Sequence, residues 1–242
     1  MRISQYPAVG GLNLFQTSTD TSFFTGVGQK FQVDGGESEV ALVYSTTGIA
    51  AGRLVQSAPI IANHTNCAVV GSSTVNAIGA TSITITLGAT AATAQQYEGG
   101  YVFVTAGLGA GQKLKVQNNP AANSGANIAI ALEDPLAIAL DTTSRVSLTP
   151  NPYYNVIINP ATPTNKPVGV TFYTLPATSY ALVGTRGSFA CLNDGGTTIG
   201  LALAPSQSVA GAVKTGATTL DSIGRAQYTG VTTEVSIGSF AL

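Results

Sequence analysis

Few residues in this chain could do chemistry, and their spacing decides what they could do. His64 is the only histidine. A metal site needs three or four donors, and no second histidine or cysteine pair stands at ligand spacing around it. A catalytic histidine needs an orienting carboxylate and a nucleophile, and its neighbours Asn63 and Thr65 supply neither. His64 therefore reads as a structural or surface residue. Glu133 and Asp134 are adjacent carboxylates. Paired acid and base carboxylates face each other from separate elements, whereas neighbours on one segment point apart. These two read as a helix cap or as solvated charges. The run Gly107-Leu108-Gly109-Ala110-Gly111 follows a strand pattern, but a phosphate cradle needs a helix next. Gln112 to Gln117 alternates like a strand instead, so the glycines predict a hairpin loop. Asp34-Gly35-Gly36-Glu37 and Asn193-Asp194-Gly195-Gly196 read as turns without the ligand count of a calcium loop. Tyr153, Tyr154, Tyr173 and Tyr180 read as core or interface aromatics.

Cys67 and Cys191 lie far apart with no CxxC or Cys/His spacing, which predicts two free buried thiols. No catalytic, cofactor-binding or metal-ligating set is therefore expected, and the chain is expected not to be an enzyme.

The elements that carry these residues are β throughout. Ser82–Leu87 alternates with period two. Tyr101–Val104, Lys113–Val116, Asn127–Ile130, Arg145–Leu148 and Tyr154–Ile158 are further strand candidates, rich in β-branched and aromatic residues. Val168–Phe172, Ser179–Val183, Gly187–Leu192 and Glu234–Ile237 continue the pattern. Strands recur about every 8–15 residues, which suits a sandwich or barrel. Two short helices are also expected, over Thr93–Glu98 and within Leu132–Leu140 with Asp134 as N-cap. Pro150, Pro152, Pro160, Pro163 and Pro167 predict an extended linker.

The expected fold is all-β, with two small β-barrel or β-sandwich modules and an irregular N-terminal arm. The division is an arm or edge hairpins over 1–66, a β module over 67–150, a proline-rich linker over 151–167 and a C-terminal β-barrel module over 168–242. Phe15, Phe23, Phe24 and Phe31 punctuate the first segment. They suit either anchors on a neighbouring subunit or an ordinary pair of edge hairpins, and they are the candidate interface.

Composition narrows the function classes. Charged residues make up 9% of the chain, with ten Lys and Arg against eleven Asp and Glu. An ordinary domain carries about 25%. A thinly charged surface can be buried against a partner without stripping water from many ions, which suits an assembly protein. The basic residues are scattered, so no nucleic-acid partner is expected. The closest pair, Lys113 and Lys115, points off one strand face into solvent. No signal peptide pattern and no apolar run of about 18 residues is seen, so no membrane partner is expected.

Several stretches together resemble structural proteins of tailed-bacteriophage virions. They are Gly79–Leu87, Ala94–Tyr101, Gly109–Gln112, Leu132–Leu136, Leu140–Ser144 and Asn151–Tyr153, followed by Pro167–Val170, Gly187–Gly195 and Ile223–Ala226. Their order is similar to the small β-barrel modules of phage head decoration proteins. The likeness spans residues 79–242 and rests on turn and strand signatures. It implies a capsid decoration or cement protein, made in the host cytoplasm and placed on the capsid surface. The major capsid protein would be its partner and a homotrimer its working form, with no cofactor. A head or tail fibre, or another receptor-binding protein, is the alternative.

Overall fold

A computed structural model describes residues 17–33, 37–215, 222–228 and 235–241; for 23–25 and 235–241 the backbone alone is described. The protein is all-β, with antiparallel pairing and no α-helix among the described residues. In chain order the strands are β1 (Thr17–Ser18), β2 (Lys30–Val33), β3 (Ser38–Ser45), β4 (Leu54–Gln56), β5 (Cys67–Val70), β6 (Ser82–Thr86), β7 (Tyr101–Ala106), β8 (Lys113–Asn118) and β9 (Asn127–Leu132). They continue as β10 (Arg145–Thr149), β11 (Ile157–Ile158), β12 (Pro167–Thr171), β13 (Ser179–Leu192), β14 (Ala202–Pro205), β15 (Val213–Thr215), β16 (Gly224–Ala226) and β17 (Val235–Ala241).

The chain divides into two compact units, residues 59–151 and residues 1–58 with 152–242. This redraws the expected division. Within the first segment, residues 38–45 are built into a sheet rather than a free arm or an edge hairpin alone, because β3 pairs along β13 from Ser179↔Ser45 to Arg186↔Glu39. Such pairing joins residues far apart in sequence, and no local pattern announces it. The proline-rich stretch is likewise part of a sheet, since β11 pairs with β4.

In the discontinuous unit β13 is the spine of an 11-stranded sheet. Its first half pairs with β3 and its second half with β17. Two strands were expected where this single one runs, and the reason is local. The register shifts between Gly184 and Arg186, and Gly187 has φ of 116°. A bulge of this kind bends a strand without ending it. A Cβ at Gly184 would lie 2.5 Å from the Phe189 ring, so glycine is needed for that ring to cover the bend. The chain bends at Asp194 and Gly195 but closes no hairpin there, because β14 pairs with β15 and β16 instead.

The unit of residues 59–151 is a closed antiparallel ring of six strands in the order β10-β5-β6-β9-β8-β7. The closed module is thus this one; the described strands of 168–242, where a barrel was expected, belong to the large sheet. Alternation puts Val69, Ile83, Ile85, Val102, Val104, Leu114, Val116, Ile128, Ile130, Val146 and Leu148 into one core. Closure leaves no open strand edge, which suits the threonine-rich outer faces.

Neither short helix forms. Residues 94–99 are turns, with Gln95 at φ of 61° and its N–H donated to Asn119 O at 2.9 Å. In 133–140 the Ala137 and Ile138 amides donate to the Gln112 side chain at 3.0 and 2.9 Å rather than to a helix.

Candidate functional site

Strand direction sorts the ring's loops into two ends. β5, β7 and β9 run one way and β6, β8 and β10 the other. The loops 71–81, 107–112 and 133–144 therefore share one end. The segments 62–66, 87–100 and 119–126 share the other, as do the points where the chain enters and leaves the ring.

At the entry end lies the one histidine. A short 3-10 turn, Ala62–His64, carries it into the interior, where it is fully buried. His64 Nε2 lies 2.9 Å from Thr90 O, and Nδ1 meets the Tyr97 hydroxyl. A carbonyl can only accept, so Nε2 holds the proton and Nδ1 accepts from the tyrosine. Burial raises the Tyr97 hydroxyl well above its ordinary pKa, with nearby Cys67 adding to it. Asn119 fixes the same turn, its Oδ1 accepting from the Tyr97 N–H at 2.8 Å and its Nδ2 donating to Thr93 O at 2.8 Å. Both imidazole nitrogens are committed to protein partners, so His64 works as a structural staple.

The other candidate groups stand apart from one another. Glu133 pairs with Lys115 at 2.9 Å, with both side chains exposed. Asp134 is exposed. The Asp141 carboxylate accepts from the Thr143 hydroxyl at 2.6 Å and from its N–H at 2.8 Å, which holds it below the usual carboxylate pKa. Lys113 stands over the Tyr101 ring at 3.9 Å. The glycine run at 107–111 is the predicted β7–β8 hairpin loop, with Gly107, Gly109 and Gly111 all at positive φ. Cys67 and Cys191 are free and buried. Among the described residues no three of His, Cys, Asp and Glu come together as a metal site. No helix among them is long and apolar enough to cross a membrane.

Of the four candidate phenylalanines, Phe31 is the one whose side chain is described. Phe31 is only 7% exposed and packs with Val33, Val40, Leu42, Tyr180 and Leu182. It is a core residue of its own unit and has no surface to offer a neighbour. Phe23 and Phe24 lie in a 3-10 turn, Thr21–Gly26, with side chains outside the described ones. Phe15 lies outside the described residues.

The surface that the sequence reading missed is the far end of the ring. Val75 is 70% exposed, Ile78 71%, Leu108 41% and Ile138 47%. These apolar side chains stand on three loops that are bonded to one another. Gly79 N–H donates to Leu136 O at 2.8 Å and Leu140 N–H to Asn76 O at 2.9 Å. Gln112 Nε2 donates to Ile138 O at 2.9 Å, and Ser144 Oγ to Leu108 O at 2.7 Å. Loops 71–81 and 107–112 contain no charged residue. An apolar tip held by such bonds loses little conformational freedom when it is covered, and these two loops bring no ion to desolvate; the carboxylates of this end, Glu133, Asp134 and Asp141, stand on the third loop. The signal in the sequence was Val75, Ile78 and Leu108 standing within Gly, Ser and Ala loops, outside any period-two run.

No protein-family model, no curated protein and no solved structure matches the chain.

Proposed function

We propose that this protein is a non-enzymatic virion component that binds the outside of an expanded phage capsid and stabilises it, as a decoration or cement protein does. The observation that carries the reading is the hydrogen-bonded tip of the ring, with Val75, Ile78, Leu108 and Ile138 exposed on its loops. The sequence likeness to virion proteins names the class of partner, and the low charge of the chain supports contact through neutral surface. The tip is the proposed contact, and of the candidate phenylalanines Phe31 is spent on the core. The mechanism is linkage: a ligand that binds only the mature lattice stabilises that lattice. The major capsid protein is the proposed partner and a trimer the proposed form.

The test adds purified protein to expanded heads lacking it and measures sedimentation with the particles. Binding is expected to persist from low to high salt, because few charges leave little to screen. Val75→Asp with Ile78→Asp is expected to abolish binding while leaving the melting temperature close to that of the parent, since both side chains already face water. Absence of binding by the parent chain would remove the decoration reading. Equal binding by the Asp variant would move the contact elsewhere. Loss at high salt would replace apolar contact by ion pairing.

A further inference from the structure

We infer that a bound water bridges Gln56 Oε1 and Asn159 Oδ1 beneath the proline-rich segment 160–167, in the unit built from residues 1–58 and 152–242. The two residues meet through strand register. Ile157 lies opposite Gln56 and Ile158 opposite Val55. Just past the strand, Asn159 N–H donates to Leu54 O at 3.0 Å, while Leu54 N–H donates to Gly211 O and Gly211 N–H to Asn159 O, each at 2.8 Å, so Asn159 stays beside Leu54. Residues directly opposite share a face, and faces alternate with period two. Leu54, Gln56, Ile157 and Asn159 therefore stand on one face, with Gln56 and Asn159 as diagonal neighbours. Diagonal neighbours sit about 7–8 Å apart, a span that two amide side chains and one water close.

Both side chains are buried, at 0% and 1% exposure. One end of each amide is accounted for. Asn159 Nδ2 donates to Pro160 O at 3.2 Å, and Gln56 Nε2 to Thr164 Oγ1 at 2.7 Å. Pro160 O can only accept, which fixes the Asn159 amide and leaves Oδ1 at its other end. Gln56 Oε1 and Asn159 Oδ1 then have no hydrogen-bond partner among the described residues. A buried acceptor left so carries its whole desolvation cost, and native proteins meet such groups with internal water.

The sequence explains why the protein itself does not supply the donors. The covering segment contains Pro160, Pro163 and Pro167, and proline has no N–H. The segment is instead tied down by Asn165 Nδ2 donating to Ala58 O at 2.8 Å and by Ser57 N–H donating to Lys166 O at 3.3 Å. Two carbonyl-type oxygens require two donated protons, and one water has two. A metal cation suits the pair less well. Among the described residues no Asp, Glu, His and Cys cluster stands ready to offset a buried charge.

The test uses the full chain. A crystal structure at a resolution that shows ordered solvent is expected to place a water about 2.7–3.0 Å from both oxygens. A dry gap there would overturn the inference. Gln56→Met and Asn159→Leu are each expected to lower the melting temperature by ~2–4 °C, and the pair by less than the sum, because either change alone strands the other partner. Ser57→Ala, on the opposite face by alternation, is expected to show no coupling to Asn159→Leu. A rise in melting temperature in both single variants would mean that the amides are dry. Melts in sodium, potassium and choline chloride are expected to coincide, and a rise specific to one metal cation would put that cation in place of the water. Should the variants fail to fold, the crystal structure and the salt series on the parent chain decide the matter.

Discussion

Removing one oxygen atom from the ring, by Tyr97→Phe, tests the account of its buried histidine. Tyr97 is 1% exposed and its hydroxyl is the donor to His64 Nδ1. The substitution keeps the ring and leaves almost no cavity, so packing loss is small. What it leaves is a buried imidazole nitrogen with no donor, because Nε2 must keep its proton for Thr90 O. A buried acceptor stranded this way costs about 1–3 kcal/mol. For a unit of the size of residues 59–151, each kcal/mol moves the melting temperature by roughly 4–8 °C. Tyr97→Phe is therefore expected to lower the ring's transition by roughly 4–24 °C, followed by calorimetry and circular dichroism of the full chain. His64→Leu alone strands the tyrosine hydroxyl and Thr90 O. The double variant, with both polar groups of the pair gone, is expected to lose less than the sum of the two, by about 0.5–3 kcal/mol. A Tyr97→Phe transition within about 1 °C of the parent, or strict additivity in the cycle, would refute the argument.

Three further outcomes follow from other parts of the molecule. Gly107→Ala is expected to cost more than Gly111→Ala, measured as the difference in denaturation midpoint. Both positions have positive φ, but a Cβ at Gly107 overlaps the Thr143 carbonyl whereas one at Gly111 meets open space. Burial pushes the Glu39 carboxyl up, but the Lys30 ammonium at 2.8 Å and the Thr185 hydroxyl at 2.8 Å outweigh it, and its pKa in the folded protein is lowered. The stability from that pair is full above the unfolded carboxylate value and fades as pH falls through the folded one. Acid titration below about pH 4.5 should therefore destabilise the parent more than Glu39→Gln, by less than about 1 kcal/mol for so exposed a pair. Finally, burial raises the pKa of Cys67 and pushes Cys191 up to about 12. Neither thiol is expected to react with Ellman's reagent on mixing with native protein, and both are expected to react in denaturant. Prompt native reaction would contradict their burial.

Much of the local structure was legible in the residues themselves. Ser82–Leu87 and its fellow runs became strands because a period-two pattern of Ile, Val and Leu has one face that must leave water, whatever else the chain does. The glycines at 107–111 became a hairpin loop because no helical pattern followed them. The thinly charged composition was equally plain, and it describes any surface this chain can present. What the residues could not announce was partnership between distant segments. Phe31 looks the same in a free arm as in a core; β3 lying along β13 decides that it is buried. Ser179–Leu192 reads as two strands until Phe189 covers Gly184 and the bulge carries the chain through. The tip is a product of closure. Val75, Leu108 and Ile138 lie on loops separated in sequence, and each alone is an unremarked apolar residue near a turn. Only when six strands close into a ring with alternating directions do their loops come to one end and make a surface, because pairing direction is set by long-range hydrogen bonding and not by the identity of any neighbouring residue.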